Sequence, residues 1–182
     1  MACAYFFFDG RDGQKGSQTV GSLIRSLIRQ FATSYGGVPS VLTELFHSCH
    51  DGGAQPSVES LEATLLLILE AFDDAYIILD ALDEGAERKD LLKWIKQMTS
   101  WRKGKLHLLA TSRPEEVFAK YLRPLDPNYV YLGPDFVTRD IEMYIDNTLE
   151  VEEAFERWTD DIKSTIKSSL LDRADGMYAI LI

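Results

Sequence analysis

Cysteine is scarce: Cys3 and Cys49 are the only two in 182 residues, too few for a disulfide framework, so a crosslinked extracellular scaffold is not expected. Long apolar runs are missing as well. Stretches such as Leu65 to Leu69 fall far short of the roughly 20 residues that cross a bilayer, which predicts no membrane span. The opening residues carry neither the basic region nor the long apolar core of a secretory signal, and a reducing, cytoplasmic location is the expectation. Basic charge is short too: 19 Lys and Arg face 29 Asp and Glu, for a formal net charge of -10. Such a surface repels nucleic acid and anionic membrane, so neither is an expected partner. There is no internal repeat, low-complexity tract or clear flexible linker. What remains is 46% hydrophobic residues with three tryptophans, enough for a globular chain with a sizeable core.

Strand-like and helix-like segments alternate through most of the chain. A strand is predicted over 4–9, then a helix over 18–33 with Val20, Leu23, Ile24, Leu27, Ile28 and Phe31 on one face and Ser17 as its N-cap,. A short helix over 40–47 follows. Ser57 then caps a helix to about Phe72 that is apolar on nearly every side and should be well buried,. After a strand ending at Asp80, a helix over 87–101 presents Leu91, Leu92, Ile95 and Met98. A strand over 106–110, a helix over 114–121 and a strand over 129–132 complete the alternation. This pattern predicts an α/β fold with a parallel sheet. From Thr138 the pattern is helical only, with Ile141, Tyr144, Ile145 and Leu149 in one helix and Ile162, Ile166, Leu170 and Leu171 in the next.

The chemistry concentrates at two strand ends. Tyr76-Ile77-Ile78-Leu79-Asp80 is an apolar run of the kind buried on both faces, and Asp83 and Glu84 follow it closely. Parallel sheets place ligands beyond the carboxyl ends of their strands, and an aspartate there is a common way to hold Mg²⁺. Like charges so clustered repel unless a cation or a function accounts for them. The plainer reading makes Asp80 a turn former and Asp83 and Glu84 favourable charges at a helix start. Lys105 to Ala110 repeats the strand design and runs into Thr111-Ser112-Arg113-Pro114, a polar turn whose Ser112 and Arg113 are candidates to meet a phosphate,. His47, Cys49, His50 and Asp51 are ligand types too, but no second Cys/His pair accompanies them as a zinc site would require,.

Taken together, YIILDALDE and LLATSRPEE resemble the NACHT branch of the signalling P-loop NTPases, in particular the fungal and nephrocystin-like type. AYFFFD, TVGSLIRSLIRQF, RDIEMYI and ADGMYAI extend the likeness over nearly the whole chain. The resemblance implies a three-layer parallel sheet with helices on both faces over 1–134, and the start of a small helical domain over 135–182. It implies ATP or GTP with Mg²⁺ as cofactors, Asp80 as the Walker B metal residue, Asp83 and Glu84 as hydrolytic acids, and Arg113, beside Ser112, as the γ-phosphate sensor. The function it implies is a nucleotide-dependent switch that controls protein partners or self-assembly through the NACHT domain.

One departure is large. A P-loop needs G-x-x-x-x-G-K followed by Ser or Thr, so that glycine amides cradle phosphate while the lysine reaches the β/γ oxygens. Gly10-Arg11-Asp12-Gly13-Gln14-Lys15-Gly16-Ser17 comes nearest, but its lysine precedes the last glycine. By the resemblance, AYFFFD is the strand after the P-loop, which places that motif upstream of Met1 and makes the chain a fragment or a divergent product. The alternative is a non-catalytic interaction scaffold derived from the same fold.

Overall fold

The computed structural model describes residues 1–9, 18–101, 105–113, 115–122, 130 and 134–174. Its contacts divide the chain into two compact units, 1–127 and 128–182. The first is built on three parallel strands, β1 (Ala2–Phe7), β2 (Asp74–Asp80) and β3 (Lys105–Ala110), in the order β1-β2-β3. Ala4 lies opposite Ile77 and Ile77 opposite Leu108; in the next row Tyr5, Ile78 and Leu109 are aligned, and Leu79 faces Ala110.

Between β1 and β2 run α1 (Val20–Ser34), α2 (Ser40–Ser48) and α3 (Val58–Leu69); α4 (Arg88–Ser100) joins β2 to β3, and α5 (Glu116–Leu122) follows. The apolar stripe of α1, from Val20 through Phe31, is buried as its spacing predicts, and α1 packs on β1 and α3. Ala4, Ile77 and Leu79 point into the same core, where Trp94 of α4 is also buried. Each fully buried leucine-sized side chain there contributes about 1.5–3 kcal/mol relative to an exposed one. Caps are local: Ser57 accepts from Ser60 N–H and starts α3, as predicted. For α1 the cap is Thr19, which accepts from Ser22 N–H at 3.2 Å, and not Ser17, because the helix begins at Val20.

Several expectations need correction. β2 was expected to be buried on both faces, with helices on both sides of the sheet. Among the described residues of the first unit only one face is covered. The other presents Tyr5 (53% exposed), Phe7 (57%) and Leu109 (59%), and Tyr76 stacks on His107 at 4.5 Å within that open face. Helix α3 ends at Leu69 and is buried on one side only, with Glu59, Ser60 and Leu67 exposed on the other. The predicted strand over 129–132 lies outside the described residues except for Val130, which has no regular structure.

The second unit pairs α6 (Pro134–Val151) with α7 (Asp160–Ala174). Ile141, Ile145 and Leu149, four residues apart, form the buried stripe, and Leu170 and Leu171 pack on it,. Tyr144 sits one position off that stripe and is exposed, as is Ile162 in the first turn of α7. Lys167 Nζ bridges the helices, 2.9 Å from Glu142 Oε1 and 2.8 Å from Asp146 Oδ1. Among the described residues, no helix is long and apolar enough to cross a membrane.

Candidate functional site

The carboxyl ends of β2 and β3 bring the acidic stretch and the TSR turn together. Since Leu79 pairs with Ala110, the next residues on each strand, Asp80 and Thr111, meet side by side. Thr111 donates its hydroxyl to Asp80 Oδ1. The same hydroxyl oxygen accepts from Ala81 N–H at 3.1 Å, while Thr111 N–H donates to Leu79 O and Leu82 N–H to Thr111 O, both at 2.9 Å. From the other neighbour, Phe8 N–H donates to Asp80 O at 3.1 Å. Asp80 is thus half-buried and fixed in direction, and no cationic side chain among the described residues pairs with it.

Ala81 then turns the chain sharply. It adopts the left-handed conformation, φ 56° and ψ 52°, which costs a residue with a Cβ about 1–2 kcal/mol. The turn folds Leu82–Glu84 into a single 3-10 turn that buries Leu82 and Asp83. Asp83 is only 5% exposed, and both its oxygens serve one residue. Oδ1 accepts from the backbone N–H of Arg113 at 2.9 Å, and Oδ2 lies 3.4 Å from Arg113 Nε. Glu84 Oε1 stands 3.8 Å from Nη2 of the same guanidinium, which is 61% exposed. Arg88 ties the rim, donating from Nη2 to the backbone carbonyl of Asp83 and from Nη1 to Glu115 Oε2 at 2.7 Å. Behind the turn, Ala86 N–H donates to Gln18 O at 3.2 Å, and Glu87 Oε2 accepts from Val20 N–H at 3.0 Å, anchoring the loop to the start of α1.

All five residues singled out in the sequence therefore occupy one sheet end. Asp80, Asp83, Glu84 and Arg113 surround it, and Ser112 is half-buried in the connecting turn. Sequence reasoning missed the roles of Thr111 and Arg88. The strand register held the signal for Thr111, because pairing Leu79 with Ala110 places the next residues, Asp80 and Thr111, side by side. Arg88 offered none. The glycine-rich stretch 10–17, with Lys15, lies outside the described residues. His47 Nδ1 pairs with Asp51 Oδ1 at 2.5 Å, and among the described residues no three His, Cys, Asp or Glu side chains converge as a metal cage.

No curated protein and no solved structure matches the chain. Residues 1–113 match the model of the family described as Nephrocystin 3, N-terminal. That span starts at β1 and closes on Arg113, so it takes in the sheet and Asp80, Asp83, Glu84, Ser112 and Arg113. The chain belongs to the nephrocystin 3 N-terminal family.

Proposed function

We propose that the chain supplies the metal-binding and sensing half of a NACHT-type nucleoside-triphosphate site, in a signalling switch whose nucleotide state controls assembly. The observation that carries this reading is the Asp80 carboxylate at a sheet's carboxyl end, oriented by Thr111 and without a cationic partner among the described residues. One such carboxylate, with an oxygen to spare beside Thr111, fits Mg²⁺, which is typically held by one or two carboxylates with water and phosphate completing its shell. Bound there, Mg²⁺ would neutralise charge on the β/γ phosphates of ATP or GTP.

The chain's own groups then divide the work. Asp80 is the metal residue, and Glu84, on the rim, orients the attacking water. Asp83 supports it by holding Arg113, whose exposed guanidinium and neighbouring Ser112 face the phosphate. A polarising acid near 3–4 Å from an arginine also gives a two-state contact that a γ-phosphate could compete for. The phosphate cradle itself belongs to a P-loop, and no GxxxxGK[ST] occurs in these 182 residues. That observation favours a second reading, a non-catalytic scaffold that keeps the fold for partner binding.

Substitution separates the roles. In the chain joined behind a P-loop strand and its helix, Asp80→Asn should weaken Mg²⁺-dependent nucleotide binding, whereas Glu84→Gln should leave binding intact and slow hydrolysis about 100-fold or more. Equal binding and turnover in both variants would remove the assignment and leave the scaffold.

A further inference from the structure

We propose that Gln30 is a gatekeeper that closes the outer edge of β1 against strand pairing with a second copy of the chain. This inference stands on the sheet edge alone and is independent of the nucleotide reading. Phe8 N–H donates to β2, at Asp80 O. Backbone direction alternates along a strand, so the N–H and C=O groups of Cys3, Tyr5 and Phe7 point away from β2, toward an edge that no strand among the described residues pairs with,. An edge of this kind is a template for another strand unless something blunts it, usually a charge, a proline or a bulge. β1 has none of these. Its sequence, Ala-Cys-Ala-Tyr-Phe-Phe, is uncharged and free of proline and glycine, which is the composition of self-pairing segments.

The side-chain amide of Gln30, on α1, takes the place a neighbouring strand would fill. Its Oε1 accepts from Tyr5 N–H at 3.1 Å, and its Nε2 donates to Tyr5 O at 2.8 Å. One amide thus satisfies both outward groups of Tyr5, as a peptide unit of an added strand would. Ser26, one helical turn back, holds the amide through Oγ at 3.2 Å. The groove alongside, about 600 Å³ and lined in part by Cys3, Tyr5, Phe7, Arg29 and Thr33, is the space an incoming strand would enter. In such a pair the exposed rings of Tyr5 and Phe7 would lie beside those of the partner copy.

The test compares the full chain with Gln30→Ala, which removes both bonds and keeps a strong helix former in α1. Two quantities are read: hydrogen exchange at the Tyr5 amide under dilute conditions, and mass against concentration by light scattering. Gln30→Ala should speed Tyr5 exchange about tenfold, the loss expected for one hydrogen bond, and should raise the mass above that of the unaltered chain as concentration increases. Adding Tyr5→Lys should return the mass to the unaltered value, because like charges would then face each other across the pair. Circular dichroism establishes that the variants keep their helices, and Gln30→Asn, whose amide is too short to reach Tyr5, provides a second route to the same edge. The proposal is overturned if Tyr5 exchange and mass are unchanged in both Gln30 variants, or if the gain in mass persists after Tyr5→Lys.

Discussion

Asp80 and Asp83 are the same side chain three residues apart, and the fold treats them differently. Asp80 keeps a hydroxyl partner and one oxygen that pairs with nothing among the described residues, whereas Asp83 is buried with both oxygens turned to Arg113. Removing the Asp83 carboxylate leaves a backbone N–H of Arg113 without its partner, at a cost of about 1–3 kcal/mol. Asp83→Ala should therefore lower unfolding free energy by about 2 kcal/mol in a denaturant titration, while Arg113→Ala, which removes a largely exposed side chain, should change it by about 1 kcal/mol or less. Equal losses would mean that the guanidinium, and not the backbone bond, makes Asp83 matter. At this scale the sequence shows which residue types gather at the strand ends. It does not show that the two aspartates differ, because that difference comes from the left-handed turn at Ala81.

Among the elements, the sheet strands and the helices α1, α3, α4 and α6 were legible in type from their apolar runs and spacing, and the buried face was legible for α1 and α4, whose stripes are buried as spaced. Their limits were less so. Thr19 displaced Ser17 as the cap of α1 because Glu87, distant in sequence, accepts from Val20 N–H and fixes where the helix starts. Glu87→Ala should cost about 1 kcal/mol, as loss of a helix cap does, measurable as an earlier denaturation midpoint. In the second unit, Lys167 is held above the ordinary lysine value of 10.5, first by its hydrogen bond to Asp146 and then by that to Glu142. A raised folded-state value means the bridge stabilises fully below about pH 10.5 and is lost as pH climbs through the folded value. The α6–α7 pair should melt at the same temperature from neutral pH to about pH 10 and then fall with alkali, a fall that Lys167→Met should largely abolish. A pH profile identical in the two proteins would exclude Lys167 as its source.

For the whole molecule, the α/β class follows from alternation, but the open sheet face does not. Phe7 and Leu109 are as apolar as their buried neighbours, and the sign that only one side is covered among the described residues is confined to β3, where Lys105 and His107 alternate with Leu106 and Leu108,. β3 also pairs on one side only among the described residues. A parallel sheet is ordinarily covered on both faces, and a strand edge left unpaired invites association. The chain alone should accordingly self-associate and melt over a broad range, and a P-loop strand with its helix joined in front should sharpen the melt and lower the mass by size-exclusion chromatography. A monomeric chain with the same cooperative melt in both forms would show that the sheet needs no further cover.

The most direct measurement is calorimetric titration of Mg²⁺-ATP into three proteins: the chain alone, the chain behind a P-loop strand and helix, and that extended protein carrying Asp80→Asn. The account predicts no binding tighter than about millimolar for the chain alone, about micromolar binding for the extended protein, and a loss of at least about tenfold with Asp80→Asn. Micromolar binding by the chain alone, or extended protein indifferent to Asp80→Asn, would contradict it.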